Sequence, residues 1–172
     1  MAAAPLLPRR TAAAALLLPL LTLALSGCGF HLRVPESLPF ERIALSGFAP
    51  HSTMADEIRR ALPPEARIMP NVLEAQVVVE AVEDTRETTV EASTASGQVR
   101  ELRLHVKLRY RVLKPGGVEL LRLNELERER DLTYNESNAL AKDTELNALY
   151  RDMQSDIATQ LVRILAAVGR AN

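Results

Sequence analysis

The only cysteine of the chain, Cys28, ends an apolar run and follows Leu25, Ser26 and Gly27. A cysteine thiolate is a strong nucleophile, and this chemistry suits the uptake of a diacylglyceryl group. The small residues before it leave room for a peptidase to cut the preceding bond, which frees an amino group for a further acyl chain. The spacing matches the bacterial lipobox and predicts lipidation of Cys28, with no other cofactor. The alternative, a buried structural cysteine, does not explain this position.

The residues before Cys28 are organised like a signal peptide, with Arg9 and Arg10 ahead of a mostly apolar stretch at 12–25. A membrane-spanning helix needs about 20 apolar residues. We therefore interpret residues 1–27 as a removed lipoprotein signal peptide and keep a permanent anchor as the rival interpretation. An aspartate after the lipidated cysteine often signals retention at the inner membrane. The chain has Gly29 there, so we expect sorting to the outer membrane, facing the periplasm.

Length and composition limit the class of protein. With 172 residues, 47% of them hydrophobic and 25% charged, the chain is typical of one globular domain. A single cysteine excludes an intramolecular disulfide and a thiolate zinc cluster. Without residues 1–27, the chain has 19 basic and 22 acidic side chains, a formal net charge of −3, which disfavours nucleic-acid binding. We expect residues 28–40 to tether a single domain at 41–172.

Residue patterns predict four strands and two helices. The strand at 99–113 alternates apolar and polar side chains, and the helices each have one apolar stripe. Strands are predicted at 42–46, 76–82 with an extension through 88–90, 99–113 and 120–134, and helices at 52–62 and 139–168. These elements predict an α+β two-layer sandwich, in which two helices pack on one face of a roughly four-stranded, mainly antiparallel or mixed sheet.

Basic side chains share the polar face of the strand at 99–113. Alignment of the hairpin about Gly116 places acids of the returning strand opposite three of them, in the pairs Arg103–Glu129, His105–Glu127 and Lys107–Glu125. We interpret these pairs as a solvent-facing ladder, in which each contributes a few tenths of a kcal/mol.

The same alignment leaves some arginines without an obvious role. Arg109 and Arg111 have no acid opposite them, so they remain candidates for binding an anion or a partner protein. The alignment also places Arg122, Arg128 and Arg130 on the apolar side of the sheet. A bulge that shifts part of the returning strand is therefore an open alternative.

The chain has no recognisable catalytic constellation. His31, His51 and His105 lie in different predicted elements, and the motifs of zinc proteases, serine hydrolases and phosphate loops are absent from the sequence. We predict no catalytic residue, no metal site and no enzymatic activity.

Two parts of the chain resemble the LptE family of lipopolysaccharide-assembly lipoproteins. Residues 28–33 (CGFHLR) are similar to the start of the mature family members, and 139–142 (ALAK), 150–153 (YRDM) and 160–163 (QLVR) are similar to their last helix. The resemblance implies a small lipoprotein that plugs the outer-membrane β-barrel LptD and supports its assembly. It further implies that the chain binds lipopolysaccharide, helps to insert it into the outer leaflet and is not an enzyme.

The resemblance also indicates residues that contact lipopolysaccharide, whose lipid A phosphates pair with Lys or Arg. Lys142 lies in the matching ALAK stretch and is the first candidate. Its alternative role is that of a helix-start lysine paired with a neighbouring carboxylate. Family members place a basic residue just ahead of Gly97, where this chain has Ala95 and Ser96. The nearest basic substitutes are Arg86 and Arg100.

A second hypothesis remains open from the sequence. An unrelated outer-membrane lipoprotein that acts as an adaptor or inhibitor would have the same anchor and the same type of fold. The two hypotheses differ in whether a large barrel protein accompanies the chain through gentle extraction.

Overall fold

The structure is a computed structural model that describes residues 37–135 and 139–171. The predicted signal peptide, Cys28 and most of the predicted tether lie outside these residues. In chain order, the described elements are β1 (Arg42–Ser46), α1 (Thr53–Ala61), β2 (Arg67–Ile68), a 3-10 turn (Val72–Glu74), β3 (Val77–Ser93), β4 (Val99–Leu113), β5 (Glu119–Thr133) and α2 (Ala139–Ala171).

In this part of the chain the strands form one mixed sheet in the order β2-β1-β3-β4-β5. β1 runs parallel to both β2 and β3, whereas β3, β4 and β5 form an antiparallel meander. The predicted α+β class is confirmed. The sheet has one strand more than predicted, because β2 comprises only two residues, too few for alternation to be recognised.

Helix α1 is fixed at its start by Ser52. The Ser52 hydroxyl accepts the N–H of Ala55 at 3.0 Å and donates to the Asp84 carboxylate of β3 at 2.6 Å. Such a cap satisfies a helix donor that would otherwise have no partner. Met54 and Ile58 of α1 are fully buried, so the helix packs its apolar side inward.

The core lies between the two helices and one face of the sheet. Residues of α2 at helical spacing and residues of β4 at alternate positions are fully buried in one cluster: Ile157, Leu161, Leu165, Leu104, Val106, Leu108 and Tyr110. Burial raises the pKa of Tyr110 to about 12, and its hydroxyl accepts a hydrogen bond from Asn124. Among the described residues, a small apolar cluster around Ala44, Ala75 and Val78 lies on the opposite face. The prediction that both helices pack on one face is therefore confirmed.

The residues just before β1 contact the end of α2. Leu38 and Phe40 pack against the core, and Gly169 makes this close approach possible. A Cβ at position 169 would lie 2.1 Å from Pro39 Cγ and 2.9 Å from Phe40 Cε2. The described end of the predicted tether is thus held against α2. No helix within 37–135 or 139–171 is both long enough and apolar enough to span a membrane.

Candidate functional site

The sheet face opposite the helices carries a ladder of ion pairs, which we call the outer face. It is formed by the basic residues of β4 and by acids from both neighbouring strands. The five basic side chains of β4 that lie on this face all contact acids. His105 lies 3.4 Å from the Glu127 carboxylate, and the other four form the ion pairs Arg103–Glu91, Arg103–Asp131, Lys107–Glu83, Arg109–Glu83, Arg109–Glu125, Arg111–Glu80 and Arg111–Glu119. The outer face is therefore polar, with both signs of charge interspersed.

Glu83 is the branch point of this ladder. Its carboxylate accepts from Lys107 at 2.5 Å and from Arg109 at 3.2 Å. These contacts lower the pKa of Glu83, with the Lys107 hydrogen bond as the largest cause. The same contact raises the pKa of Lys107. One carboxylate thus holds two cations of the neighbouring strand side by side.

Two bulges explain where the sequence alignment was wrong. Near the turn, Leu113 faces Glu119 as the alignment requires, but shifts next to Val112 move the rest of β5 by two positions. His105 then lies opposite Glu129 and Lys107 opposite Glu127. A shift of two preserves the face of every side chain, so the ladder is present. The predicted contact of His105 with Glu127 forms across the diagonal. The predicted partners of Arg103 and Lys107 are wrong, because Arg103 pairs with Glu91 and Asp131 and Lys107 pairs with Glu83.

The shift on β5 places Glu125 opposite Arg109, which was predicted to lack an acid there, and a second bulge adds partners on β3 for Arg109 and Arg111. On β3, the register shifts between Ala81 and Glu83, so Glu80 and Glu83 share the outer face although they are three residues apart. Both arginines are paired there, which contradicts their assignment as free anion-binding residues. The predicted placement of Arg128 on the helix side agrees with the register, and its guanidinium donates to Gln160 of α2 at 2.7 Å.

Lys142 lies in the first turn of α2, with 22% of its side chain exposed. Its ammonium group forms an ion pair with Glu145 at 2.8 Å. The paired lysine that the sequence left as an alternative is therefore present. A cation in the first turn of a helix opposes the helix dipole, and no acidic residue lies in that turn of α2. The Glu145 contact offsets this unfavourable position.

Arg86 lies in the middle of β3, on the side of the sheet that faces the helices, where its register partner is the buried Val106. Its guanidinium carbon is 4.8 Å from the ring centroid of Tyr150 of α2. This is the distance of a cation–π contact. Arg86 is exposed to solvent.

Tyr150 is itself firmly held. It is 3% exposed, and its hydroxyl donates to the Glu87 carbonyl at 2.5 Å and lies 2.7 Å from the Thr88 hydroxyl. Sequence reasoning named Tyr150 only as part of the YRDM stretch and gave it no contact with Arg86. The pairing joins residues 64 positions apart in the sequence, and no local spacing indicates it.

Arg100 lies at the start of β4 with an exposed side chain, and its carbonyl accepts the N–H of Tyr134 at 2.8 Å. In the described ranges, no hydrogen bond or ion pair links Arg86, Arg100 and Lys142 to one another. The three candidate residues thus belong to different elements, with Arg86 on the helix side of β3 and Lys142 in α2. Nor does any group of His, Cys, Asp and Glu in those ranges have the arrangement of a metal site.

Comparisons with known proteins agree on one family. The sequence model described as LptE, Lipopolysaccharide-assembly, matches residues 40–165. The chain is 31% identical to the LPS-assembly lipoprotein LptE of Photorhabdus laumondii subsp. laumondii, over 91% of this chain and 86% of that protein. It is 30% identical to the protein of the same name from Yersinia pestis, over 91% of this chain and 76% of that one.

Solved structures show the same fold. Lipoprotein B of Nitrosomonas europaea matches with a TM-score of 0.68 and 29% identity, over 83% of this chain and 94% of that one. The rare lipoprotein B of Shewanella oneidensis matches with a TM-score of 0.60 and 22% identity, over 73% and 94%; this likeness concerns the fold alone. Because the family model matches residues 40–165 and the curated relatives are 30% to 31% identical over 91% of this chain, the chain belongs to the LptE family of lipopolysaccharide-assembly lipoproteins.

Proposed function

We propose that the chain is an outer-membrane lipoprotein subunit, acylated at Cys28, that plugs the LptD β-barrel and supports its assembly. In this role it binds lipopolysaccharide and helps to insert it into the outer leaflet. It acts by binding and by structural support, without catalysis. The proposal rests on membership of the LptE family, on the LSGC stretch that ends at Cys28, and on the charge pattern of the outer face.

The outer face is the observation that favours a place inside a barrel. A surface that faced lipid chains would leave its charges without water, at a large cost in free energy. The lumen of an outer-membrane barrel is polar, and a ladder of paired charges is compatible with such surroundings. Because the cations of the outer face are already paired with acids of the same sheet, little attraction to a strongly charged partner such as nucleic acid is expected from this face.

Lipopolysaccharide contact is assigned to Lys142 first, with Arg86 and Arg100 as further basic residues. Phosphates of lipid A are recognised by ammonium and guanidinium groups, as charge-assisted hydrogen bonds to an anion are strong. The position of Lys142 supports this assignment, because a cation in the first turn of a helix is unfavourable for the helix alone. The partner Glu145 is 49% exposed, so the ion pair is weak enough for a phosphate to compete with it.

The proposed placement is tested by crosslinking in intact cells. A photoreactive amino acid at position 105, in the middle of the outer face, should form a light-dependent adduct with a large barrel protein. A position on the buried side, such as Val106, is fully buried and serves as the matched control that should give no adduct. Equal yields from both positions, or an adduct with other proteins only, would contradict the proposed docking of the outer face.

Lipidation is tested separately by labelling with radioactive palmitate. The wild-type chain should carry the label, and Cys28→Ser should lose it, because the proposal assigns all acyl chains to this one residue. Label that persists in Cys28→Ser would refute the assignment.

A further inference from the structure

We propose that Tyr150 is a positioning residue that holds the Arg86 guanidinium ready to bind a phosphate group of an anionic lipid headgroup. The inference rests on the proposed function, in that lipopolysaccharide is the ligand. It adds a second element, α2, to the Arg86 site, and it assigns a role to an aromatic side chain that itself touches no ligand.

The first step of the argument is that Arg86 lacks the kind of partner that the cations of the outer face have. Among residues 37–135 and 139–171, no carboxylate forms an ion pair with Arg86. The acid nearest in sequence on the same face, Asp84, accepts a hydrogen bond from the Ser52 hydroxyl at the start of α1 and forms no ion pair with Arg86. Glu87 belongs to the outer face, where its register partner is His105. The charge of Arg86 is thus left uncompensated on the helix side of β3.

The second step concerns the part of the guanidinium that Tyr150 uses. Arginine stacks the flat face of its guanidinium on aromatic rings, an arrangement that leaves the N–H groups at its edge available. The 4.8 Å between the Arg86 guanidinium carbon and the Tyr150 ring centroid is compatible with such stacking. Those N–H groups form the planar fork that pairs with two oxygens of a phosphate. Since Arg86 is exposed, an anion can reach these N–H groups from solvent while the ring contact persists.

The third step is that the ring is a rigid support. The Tyr150 hydroxyl donates to the Glu87 carbonyl and therefore accepts from the Thr88 hydroxyl. Both contacts belong to the segment of β3 directly after Arg86, so the ring and the arginine are fixed to the same stretch of backbone. A flexible arginine loses side-chain entropy when it binds, and an arginine that is already held loses less. Removal of the ring should therefore weaken phosphate binding, and this effect should depend entirely on the presence of Arg86.

A double-mutant cycle tests this dependence. The full-length lipidated chain in detergent micelles is titrated with bisphosphorylated lipid A, for wild type, Arg86→Gln, Tyr150→Leu and the double variant. We expect each single variant to bind about threefold to tenfold more weakly, the range for immobilising one long side chain. In the Arg86→Gln background, Tyr150→Leu should add no further loss. Independent losses that multiply in the double variant, or wild-type affinity in either single variant, would overturn the proposal.

Two further variants separate positioning from stability. Tyr150→Phe keeps the buried ring but loses both hydroxyl contacts, so it should lower the melting temperature and weaken lipid A binding less than Tyr150→Leu does. Arg86→Lys keeps the charge but has neither a planar face nor a fork, so it should weaken binding as much as Arg86→Gln. If Tyr150→Leu does not fold, Arg86→Lys decides the question, and wild-type affinity in that variant overturns the proposal.

Two probes identify the source of the phosphate and keep this inference distinct from the proposed function. Lipid A without its phosphates should bind Arg86→Gln and wild type equally, and inorganic phosphate at the lipid's concentration should not displace lipid A. Displacement by inorganic phosphate would refute the assignment to a headgroup. If wild type binds lipid A but the cycle shows no coupling, only the Tyr150 inference fails. If wild type binds neither lipid A nor a barrel protein, both the Tyr150 inference and the proposed function fail.

Discussion

Truncation of one core leucine tests whether α2 is the main support of the sheet. Leu161 is 0% exposed and belongs to the core cluster with Ile157 and Leu165. Leu161→Ala removes three buried carbon groups at about 0.8 kcal/mol each, or roughly 2.4 kcal/mol of transfer free energy. The cavity that remains raises the expected loss in unfolding free energy to about 2–5 kcal/mol.

The assay is urea unfolding of the mature chain with Cys28→Ser, which avoids the acyl chains. The chain has no tryptophan, so far-UV circular dichroism is the better signal. Leu140→Ala is the matched control, as Leu140 lies on the same helix and is 84% exposed. We expect the control to change stability by less than about 0.5 kcal/mol. A Leu161→Ala loss as small as that of the control would refute the packing of α2 on the sheet.

Three further predictions follow from single contacts. Gly169→Val should destabilise the domain by about 1–3 kcal/mol and expose the segment around Pro39 to proteases, because the new side chain overlaps it. Glu83→Gln should lower the urea midpoint at neutral pH. A lowered pKa stabilises the fold above the ordinary value of 4.5 and ceases to do so as pH falls through the folded-state value, so the difference should vanish in acid. Lys142→Glu should weaken lipid A binding, whereas Glu145→Gln, which frees Lys142, should not.

Each of these predictions has an outcome that contradicts it. Ala167→Val, on an exposed side of the same helix, is the control for Gly169→Val, and equal protease resistance of the two variants would argue against the contact with Pro39. A Glu83→Gln difference that persists unchanged in acid would mean that ionisation of Glu83 is not its source. If Lys142→Glu binds lipid A like wild type, Lys142 is not part of the lipid site.

Long periodic patterns were sufficient to predict most elements of the fold. The alternation at 99–113 coincides with β4, and the apolar stripe from 139 onward coincides with α2. β4 has 15 residues and α2 has 33. In patterns of this length, a few residues that break the periodicity do not hide it. β2 was missed, since its two residues pair with β1 through the backbone and need no side-chain pattern.

Register and ion-pair partners were not predictable to the same degree. A bulge adds one residue to a strand and changes the facing residues beyond it, and the sequence around Val82 and Leu121 does not indicate which residue is added. Arg109 and Arg111 each pair with one acid of β3 and one of β5. These partners were missed because the hairpin alignment left out β3 and did not include the shift on β5. The Arg86–Tyr150 contact depends on how α2 crosses the sheet, which no spacing along the chain specifies.

Purification from native membranes in a mild detergent is the most direct test of the central claim, that this lipoprotein works as part of a barrel complex. The tagged wild-type chain should bring down one large outer-membrane barrel protein, together with lipopolysaccharide, in a stable ratio. Recovery of the chain alone after equally gentle extraction, with the barrel protein intact in the same membranes, would contradict the proposed function.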